Sequence, residues 1–331
     1  MTTLKGGVIG FGNMGQSLTS YINQYKTDEA EIMAACNRGK PNLEVARDKF
    51  GLAVTHNAQE LVDMNLDFVL VTSPNYAHVD QVVMAAEAGK HVFLEKPIAL
   101  NLANADRMIQ AVESSGVVNA VNYSLRYTNA YLKIKELIDS GQMGDILSIC
   151  YFKIRGFGLY GSGARHAAVV GHEESGGWTV HDVCHNVDFL YWLNGPIKTV
   201  YATMQSTAPG PNSEEVVLGN FVFKNGAIGT VGDSVCAIRD RYTQIIGTKA
   251  SLVMSGENEK TELRFHPEGA TSAQILPAVD TKRPGGGVDH FLECIREDKP
   301  SPNSIRDSRH SLAVALAMQE SARTGQVVQI N

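Results

Sequence analysis

The chain has 331 residues, 44% of them hydrophobic, and a formal net charge of −6 at pH 7. This length is enough for two domains, each with its own hydrophobic core. The acidic balance includes no basic block that would bind nucleic acid, and no apolar run approaches the roughly 20 residues of a membrane span. We therefore expect a cytoplasmic protein that binds a small molecule, with neither a nucleic-acid nor a membrane partner.

The five cysteines are widely separated and form no C-x-x-C pair. This pattern argues against a disulfide framework and against a cysteine zinc site. We expect reduced thiols, most of them buried, at Cys36, Cys150, Cys184, Cys236 and Cys294.

A glycine-rich turn near the N-terminus follows the short apolar run Val8-Ile9. Its glycines have the G-x-G-x-x-G spacing, in which the first allows a tight turn, the second lets the backbone approach a pyrophosphate, and the third lets a helix pack on the strand. Apolar residues recur at helical spacing after the turn. We assign cofactor binding to the residues of this turn, which are Gly10, Phe11, Gly12, Asn13, Met14 and Gly15.

Residues 31–37 are predicted to form a second strand, which ends where a dinucleotide-binding protein reads the adenine ribose. An acidic residue at this place selects NAD, but here Asn37 and Arg38 end the strand and Lys40 lies nearby. No carboxylate repels a 2′-phosphate, and a guanidinium is available to bind one. We predict NAD(P) as the cofactor, with NADP favoured over NAD. The alternative is that these cations are ordinary solvated loop charges.

Strand and helix patterns alternate up to residue 121, as a parallel sheet with helical crossovers requires. Two apolar strands, 68–71 and 91–94, end in polar turns, and ligands bind at the carboxyl ends of such strands. Pro97 restricts the backbone of Lys96 to extended geometry and so fixes the direction of its side chain. The predicted cofactor site at these ends comprises Asn37, Arg38, Ser73, Pro74, Asn75, His78, Glu95 and Lys96.

The second half of the chain contains longer alternating patterns. They predict an open, mainly antiparallel sheet with helices, and Asn225-Gly226 is a strong hairpin signal between two of the strands. The predicted strands are 146–154, 199–207, 215–223, 227–235 and 242–247.

Three motifs together resemble the Gfo/Idh/MocA oxidoreductases, which include glucose-fructose oxidoreductase and inositol dehydrogenases. They are the glycine turn, Thr-Ser-Pro-Asn-x-x-His at 72–78 and Ala-Gly-Lys-His-Val-Phe-Leu-Glu-Lys-Pro at 88–97. The resemblance implies an α/β protein with a Rossmann dinucleotide-binding domain over 1–122 and an α+β domain for substrate binding and oligomerisation over 123–331. It also implies sheet-to-sheet association into a homodimer or homotetramer.

A helical pattern with a dense set of polar residues follows two glycines at 176 and 177. His181, His185 and Asp188 have the spacing i, i+4 and i+7, so a regular helix projects them from one face. Asp182 precedes His185 by three positions and lies within side-chain reach of it on such a helix. The segment is therefore a candidate acid/base cluster.

In the family that the chain resembles, an Asp-x-x-x-His pair works with the lysine of Glu-Lys-Pro. The lysine corresponds to Lys96 and the histidine to His185, whereas His181 occupies the aspartate position and Asp182 follows it. We hypothesise that His185 accepts the substrate hydroxyl proton while hydride leaves for the nicotinamide, and that Lys96 hydrogen-bonds the reacting oxygen. His181 then orients the substrate or replaces the missing carboxylate.

Residues 181–185 also form H-D-x-x-H, one methylene short of the zinc-peptidase motif H-E-x-x-H. A zinc site is therefore an alternative for this segment. Three points argue against zinc. Aspartate is shorter than the usual glutamate, the sequence shows no evident third ligand, and a zinc site would leave the dinucleotide-binding turn unexplained.

Four residues are candidates for substrate binding. Arg126 and Tyr127 lie where the family often places substrate contacts. Arg165 falls in a loop-like region, 155–177, where it would bind a carboxylate or phosphate, and the adjacent Trp178 would stack on a sugar. Alternatively, Arg165 and the other charged residues of this loop are ordinary solvated surface charges.

These features favour an NAD(P)-dependent dehydrogenase that transfers hydride between nicotinamide and a hydroxyl carbon of a sugar, cyclitol or sugar derivative. One alternative is an enzyme that keeps its cofactor bound and cycles it in glycoside hydrolysis or sugar–sugar redox exchange. Another is a non-catalytic NAD(P)-binding regulator, against which an aligned acid/base pair argues.

Overall fold

The computed structural model describes residues 2–154, 175–205, 214–236, 239–256, 260–277 and 285–330. The chain forms two compact units. The first comprises Met1–Tyr123 with Pro284–Arg309, and the second comprises Ser124–Arg283 with His310–Asn331. Residues 284–309 thus belong to the first unit, although they come late in the sequence. A single boundary at residue 122, as predicted, does not include this return.

The first unit is built on a six-stranded sheet with the order β3-β2-β1-β4-β5-β6, in which neighbouring strands are parallel. This is the strand order of a Rossmann fold, whose switch point lies between β1 and β4. The predicted parallel sheet is therefore confirmed. The strands are β1 (Leu4–Ile9), β2 (Ala30–Cys36), β3 (Ala53–Thr55), β4 (Phe68–Val71), β5 (His91–Leu94) and β6 (Asn119–Val121).

The helices of the first unit begin and end at residues suited to capping. The Asn101 side chain accepts a hydrogen bond of 2.8 Å from the backbone N–H of Asn104, and Gly51 ends a helix with a φ of 69°. The helices are α1 (Asn13–Tyr25), α2 (Lys40–Phe50), α3 (Ala58–Val62), α4 (His78–Glu87) and α5 (Leu102–Ser115), with a short 3-10 turn at Asn75–Ala77.

The second unit is built on a nine-stranded sheet with the order β14-β13-β12-β11-β7-β10-β9-β8-β15. Its strands pair antiparallel, apart from β7 with β10, which are parallel. The predicted mainly antiparallel sheet is confirmed, and four later strands extend it. The strands are β7 (Ile146–Ile154), β8 (Ile197–Gln205), β9 (Val216–Phe223), β10 (Ile228–Ser234), β11 (Asp240–Gly247), β12 (Ala250–Ser255), β13 (Glu262–Pro267), β14 (Gln274–Leu276) and β15 (Val328–Gln329).

One face of this sheet packs against helices, and the other, here called the open face, carries exposed apolar side chains among the residues that the structure describes. Helices α6 (Asn129–Asp139) and α7 (Cys184–Asn194) cover the packed face, where the ring centroid of Phe189 lies 5.1 Å from that of Tyr151. Along β9, buried side chains alternate with the exposed Leu218 and Val222, as the period of two in a strand requires.

The late return to the first unit has a hydrophobic cause. Helix α8 (Val288–Arg296) buries Phe291, whose ring centroid lies 5.9 Å from that of Phe68 and 5.5 Å from that of Phe93. The core of the parallel sheet is therefore completed by a helix from near the end of the chain. The long helix α9 (Ile305–Thr324) follows. Within the described ranges, no helix is both long and apolar enough to cross a membrane.

Replacing Phe291 with alanine tests this contribution of α8. Because the ring is fully buried, we expect the free energy of unfolding to fall by about 3–5 kcal/mol. Urea unfolding followed by far-UV circular dichroism measures the loss. Phe291→Leu is the matched control and should lose much less, since it keeps most of the buried volume. An unfolding free energy of Phe291→Ala equal to that of the unmodified chain would contradict the role given to α8.

Candidate active site

The glycine turn after β1 has the three geometries that a dinucleotide-binding turn requires. Gly10 has a φ of +96°, and a Cβ there would lie 2.4 Å from the backbone nitrogen of Ser73. A Cβ on Gly15 would lie 2.7 Å from the carbonyl oxygen of Gly10, so α1 packs closely on the strand. A Cβ on Gly12, by contrast, would meet nothing within 4 Å. The backbone at Gly12 therefore borders open space at the N-terminus of α1, where helix N–H groups favour an anion.

The other predicted residues of the turn differ in their surroundings. Phe11 is fully buried and its ring packs edge-on to Phe50 at 5.4 Å, so only its backbone belongs to the turn surface. Asn13 and Met14 are exposed at the start of α1, beside the open space at Gly12.

The end of β2 carries Asn37 and Arg38, as predicted. The Asn37 side chain donates a hydrogen bond of 3.0 Å to the carbonyl oxygen of Gly39 and so shapes the loop. The guanidinium carbon of Arg38 lies 5.4 Å from the ring centroid of Tyr76, and the guanidinium also donates a hydrogen bond to the Tyr76 hydroxyl. Tyr76 was not predicted from the sequence, because nothing in its local pattern pairs it with a residue 38 positions away.

His78 joins the polar turns that follow β4 and β5. Its Nδ1 lies 2.8 Å from the carbonyl oxygen of Pro97, and its Nε2 lies 2.9 Å from that of Ser73. Burial lowers the pKa of His78, the two carbonyl contacts oppose this effect, and the nearby charge of Lys96 adds to it. Because the ring is fully buried and each nitrogen lies at hydrogen-bond distance from a backbone carbonyl, His78 joins the turn after β4 to the turn after β5.

The Glu-Lys-Pro turn is further fixed on its other side. The buried Glu95 carboxylate accepts a hydrogen bond of 2.6 Å from the Asn122 side chain, and the Glu95 backbone N–H donates to the carbonyl of Val71 at 2.9 Å. Lys96, between these anchored neighbours, is half-buried. Its backbone position at the carboxyl end of β5 is therefore determined from both sides.

The turn after β4 presents the remaining predicted cofactor residues. The Ser73 hydroxyl donates to the Gln81 side chain at 2.5 Å, and the Thr72 hydroxyl donates to the carbonyl of Gly10 at 2.7 Å. Pro74 begins the 3-10 turn, and Asn75 is buried within it. These contacts place the turn against the glycine turn of β1.

The polar segment of the second unit is not a regular α-helix. Residues Thr179–Val183 form a π-helical turn, in which the backbone N–H of Cys184 bonds to the carbonyl of Thr179 five residues earlier. Such turns inside helices are frequent at functional sites. His181 is half-buried in this turn, whereas Asp182 and His185 are buried.

A single buried carboxylate holds both ends of the π-helical turn. Asp233, on β10, accepts hydrogen bonds of 2.8 Å from the Trp178 indole N–H and 2.7 Å from the Asn186 side chain. Glu214 also accepts a hydrogen bond of 2.8 Å from the backbone N–H of Thr179. The roles of Asp233 and Glu214 were not predicted, because both residues are far in sequence from the turn and neither belongs to a recognisable motif.

The predicted substrate residues have varied surroundings. Trp178, predicted to stack on a sugar, is 6% exposed, and its indole N–H is hydrogen-bonded to Asp233. Arg126 forms a buried, two-pronged ion pair with Asp188, at 2.8 and 2.7 Å. Asp188, predicted to share a helix face with His181 and His185, is thus the ion-pair partner of Arg126. Tyr127 is half-buried at the end of a 3-10 turn, and Arg165 lies outside the described residues.

The H-D-x-x-H segment also raised the alternative of a zinc site. In the part of the chain that the structure describes, no group of three or more His, Cys, Asp or Glu side chains is arranged to hold a metal ion.

The parallel sheet, the open glycine turn and the anchored lysine define a dinucleotide-binding oxidoreductase fold. The Gfo/Idh/MocA model described as an oxidoreductase family with an NAD-binding Rossmann fold matches residues 4–123, and the model of the family's C-terminal α/β domain matches residues 135–330. The chain therefore belongs to the Gfo/Idh/MocA oxidoreductase family, which its motifs predicted.

Named relatives include two inositol dehydrogenases. The chain is 28% identical to scyllo-inositol 2-dehydrogenase (NAD(+)) of Bacillus subtilis, over 82% of this chain and 80% of the relative. It is 25% identical to myo-inositol 2-dehydrogenase of Thermotoga maritima, over 98% of both. Among solved structures, levoglucosan dehydrogenase in complex with NADH and levoglucosan superposes with a TM-score of 0.89 at 22% identity over the full length of both chains.

Replacing Asp233 with leucine tests its hold on the π-helical turn. Two buried donors lose their acceptor, at about 1–3 kcal/mol each, so we expect the free energy of unfolding to fall by roughly 2–6 kcal/mol. Urea unfolding followed by tryptophan emission measures it, since Trp178 is one of the two bonded donors.

Asp233→Asn is the control for this substitution. Its amide oxygen still accepts from Trp178, and Asn186 restores the second bond by turning its amide to accept instead of donate. Equal losses in the leucine and asparagine variants would contradict the hydrogen-bonding role of Asp233.

Proposed function

We propose that this protein is an NAD(P)-dependent dehydrogenase that oxidises a hydroxyl carbon of a sugar, cyclitol or sugar derivative. The observation that carries the proposal is the glycine turn, closed at Gly10 and Gly15 and open at Gly12, beside the anchored Lys96. The names of the inositol and levoglucosan dehydrogenases support the substrate class.

The residues of the first unit fit a dinucleotide. In the proposed arrangement, the backbone at Gly12 and the first N–H groups of α1 bind the pyrophosphate. When bound, the nicotinamide ring supplies the hydride acceptor. Asn13 and Met14 border the phosphates, and the turn from Ser73 to Asn75 borders the nicotinamide half, as does Glu95 through its backbone.

The proposed acid/base groups are Lys96 and His185. Lys96 donates a hydrogen bond to the reacting oxygen, and His185 accepts the hydroxyl proton as the carbonyl forms. His181 orients the substrate in place of the family's aspartate, with Asp182 beside it in the chain. Tyr127 and Arg165 contact the substrate in this proposal, whereas Arg126 acts by positioning α7 through its ion pair with Asp188.

A preference for NADP over NAD is part of the proposal. Arg38 stands at the end of β2, where the ribose is read, and the neighbouring Asn37 and Lys40 add no negative charge. A guanidinium binds a 2′-phosphate through charge-assisted hydrogen bonds. The cofactor with that phosphate is therefore expected to give the higher kcat/KM.

The deciding experiment measures nicotinamide reduction by the purified chain with NAD and NADP in parallel. The panel contains sugars, cyclitols, sugar acids and glycosides. Turnover with one class supports the proposal and identifies substrate and cofactor together. Turnover of glycosides without net reduction of added cofactor would replace the proposal with the bound-cofactor mechanism, and cofactor binding without turnover of any compound would favour the regulator.

Replacing Lys96 with methionine tests its assigned role. We expect kcat to fall by roughly 10²–10⁴, because the reacting oxygen loses its hydrogen-bond donor, while the dissociation constant of the reduced cofactor changes little. Steady-state kinetics and cofactor fluorescence titration measure the two quantities. Lys49→Met, on the exposed surface of α2, is the matched control and should keep full activity. Undiminished turnover by Lys96→Met would contradict the assignment.

We also propose that the open face of the nine-stranded sheet joins two copies of the chain. A groove across β7, β8, β9 and β10 is lined by apolar and uncharged polar side chains, among them Tyr201, Val222 and Ile228. Ile228 is 58% exposed and Leu218 is 43% exposed. Neighbouring exposed apolar side chains are typical of an interaction surface.

Introducing charged side chains on this face tests whether it holds the copies of a dimer or tetramer together. We expect the double substitution Leu218→Glu with Ile228→Glu to yield monomers, because the new carboxylates would be desolvated in the interface. Analytical ultracentrifugation measures the state. Tyr25→Glu, exposed at the end of α1, is the control and should leave the oligomer intact. An unmodified chain that sediments as a monomer would refute the proposed interface.

A further inference from the structure

The contact between Arg38 and Tyr76 spans the carboxyl end of β1. Arg38 follows β2 and Tyr76 lies in the 3-10 turn after β4, and β1 separates those two strands in the sheet. Neighbouring strands are about 4.8 Å apart, so the contact bridges two strand spacings. The pair therefore lies across the edge at which the glycine turn begins.

We propose that Tyr76 is an adenosine-binding residue. Its ring is a stacking surface for the adenine, and its hydroxyl directs Arg38 toward the ribose 2′ position. The inference rests on the proposed function, since it assumes a dinucleotide at the glycine turn, and it gives a role to Tyr76, one of the two unspecified positions in the Thr-Ser-Pro-Asn-x-x-His motif.

The location of the adenosine follows from the strand order. The ribose is read by the residue after β2 and the pyrophosphate lies at the turn after β1, so the adenosine occupies the edge beside Arg38. The guanidinium carbon of Arg38 is 5.4 Å from the Tyr76 ring centroid, which puts the ring within reach of any group that Arg38 binds. A planar guanidinium and an aromatic ring are the two surfaces on which bases stack in proteins.

The backbone presents Tyr76 for this contact. The 3-10 turn is closed by a hydrogen bond of 2.9 Å from the N–H of Ala77 to the carbonyl of Pro74, and the neighbouring Asn75 is buried. Tyr76 itself is 39% exposed, so part of its ring faces outward. A rigid turn with one accessible aromatic ring needs little ordering when a base binds.

Fluorescence titration with NADH and NADPH tests the proposal, and competition with 5′-AMP and 2′,5′-ADP isolates the adenosine half. We expect Tyr76→Ala to weaken binding of all four nucleotides by about tenfold, because the stacking surface is lost. Tyr76→Phe should keep the affinity for NADH and 5′-AMP and lose part of the preference for the 2′-phosphate. Arg38→Leu should weaken NADPH and 2′,5′-ADP more than the other two.

Tyr25→Ala, another exposed tyrosine of the first unit, is the matched control and should bind all four nucleotides as the unmodified chain does. Affinities of Tyr76→Ala within twofold of the control would overturn the role of Tyr76. A weaker affinity of Tyr76→Ala for NADH with an unchanged affinity for 5′-AMP would also overturn it, since Tyr76 would then act on a part of the cofactor other than the adenosine. If the unmodified chain binds neither NADH nor NADPH, the proposed function fails first and the inference with it.

Discussion

Two backbone segments approach each other at the switch point of the parallel sheet, and the site depends on this contact. A Cβ at Gly10 would lie 2.4 Å from the Ser73 nitrogen, and the Thr72 hydroxyl donates to the Gly10 carbonyl. Because glycine allows the contact, the turns after β1 and β4 form one surface. His78 then joins Ser73 to the Pro97 carbonyl, so the place of Lys96 follows from the same constraint.

The elements that could be predicted from the sequence are those marked by a pattern within the element itself. Strands 68–71, 91–94 and 146–154 have the predicted bounds, because continuous or alternating apolar patterns coincide with buried sheet positions. The glycine turn was recognisable for the same reason, since its three roles depend on residues within one turn. The strands β12 to β15 were missed, because their pairing depends on partner strands and not on a local pattern.

The supports of the site were beyond prediction because they are non-local. Asp233 reaches Trp178 from 55 positions away and Asn186 from 47, and neither pairing leaves a pattern in the sequence. The surroundings of Trp178 were unpredictable for this reason, since a tryptophan after two glycines has the same local sequence whether its ring is exposed or buried. Arg126 likewise finds Asp188 only in the folded unit.

The π-helical turn changes which residue can stand beside His185. A bond that reaches back five residues puts more residues in the turn, so positions four apart stay nearly aligned while positions three apart separate. His181 therefore shares the direction of His185 better than Asp182 does. This spacing supports the proposal that His181, rather than the neighbouring Asp182, works with His185 in place of the family's aspartate.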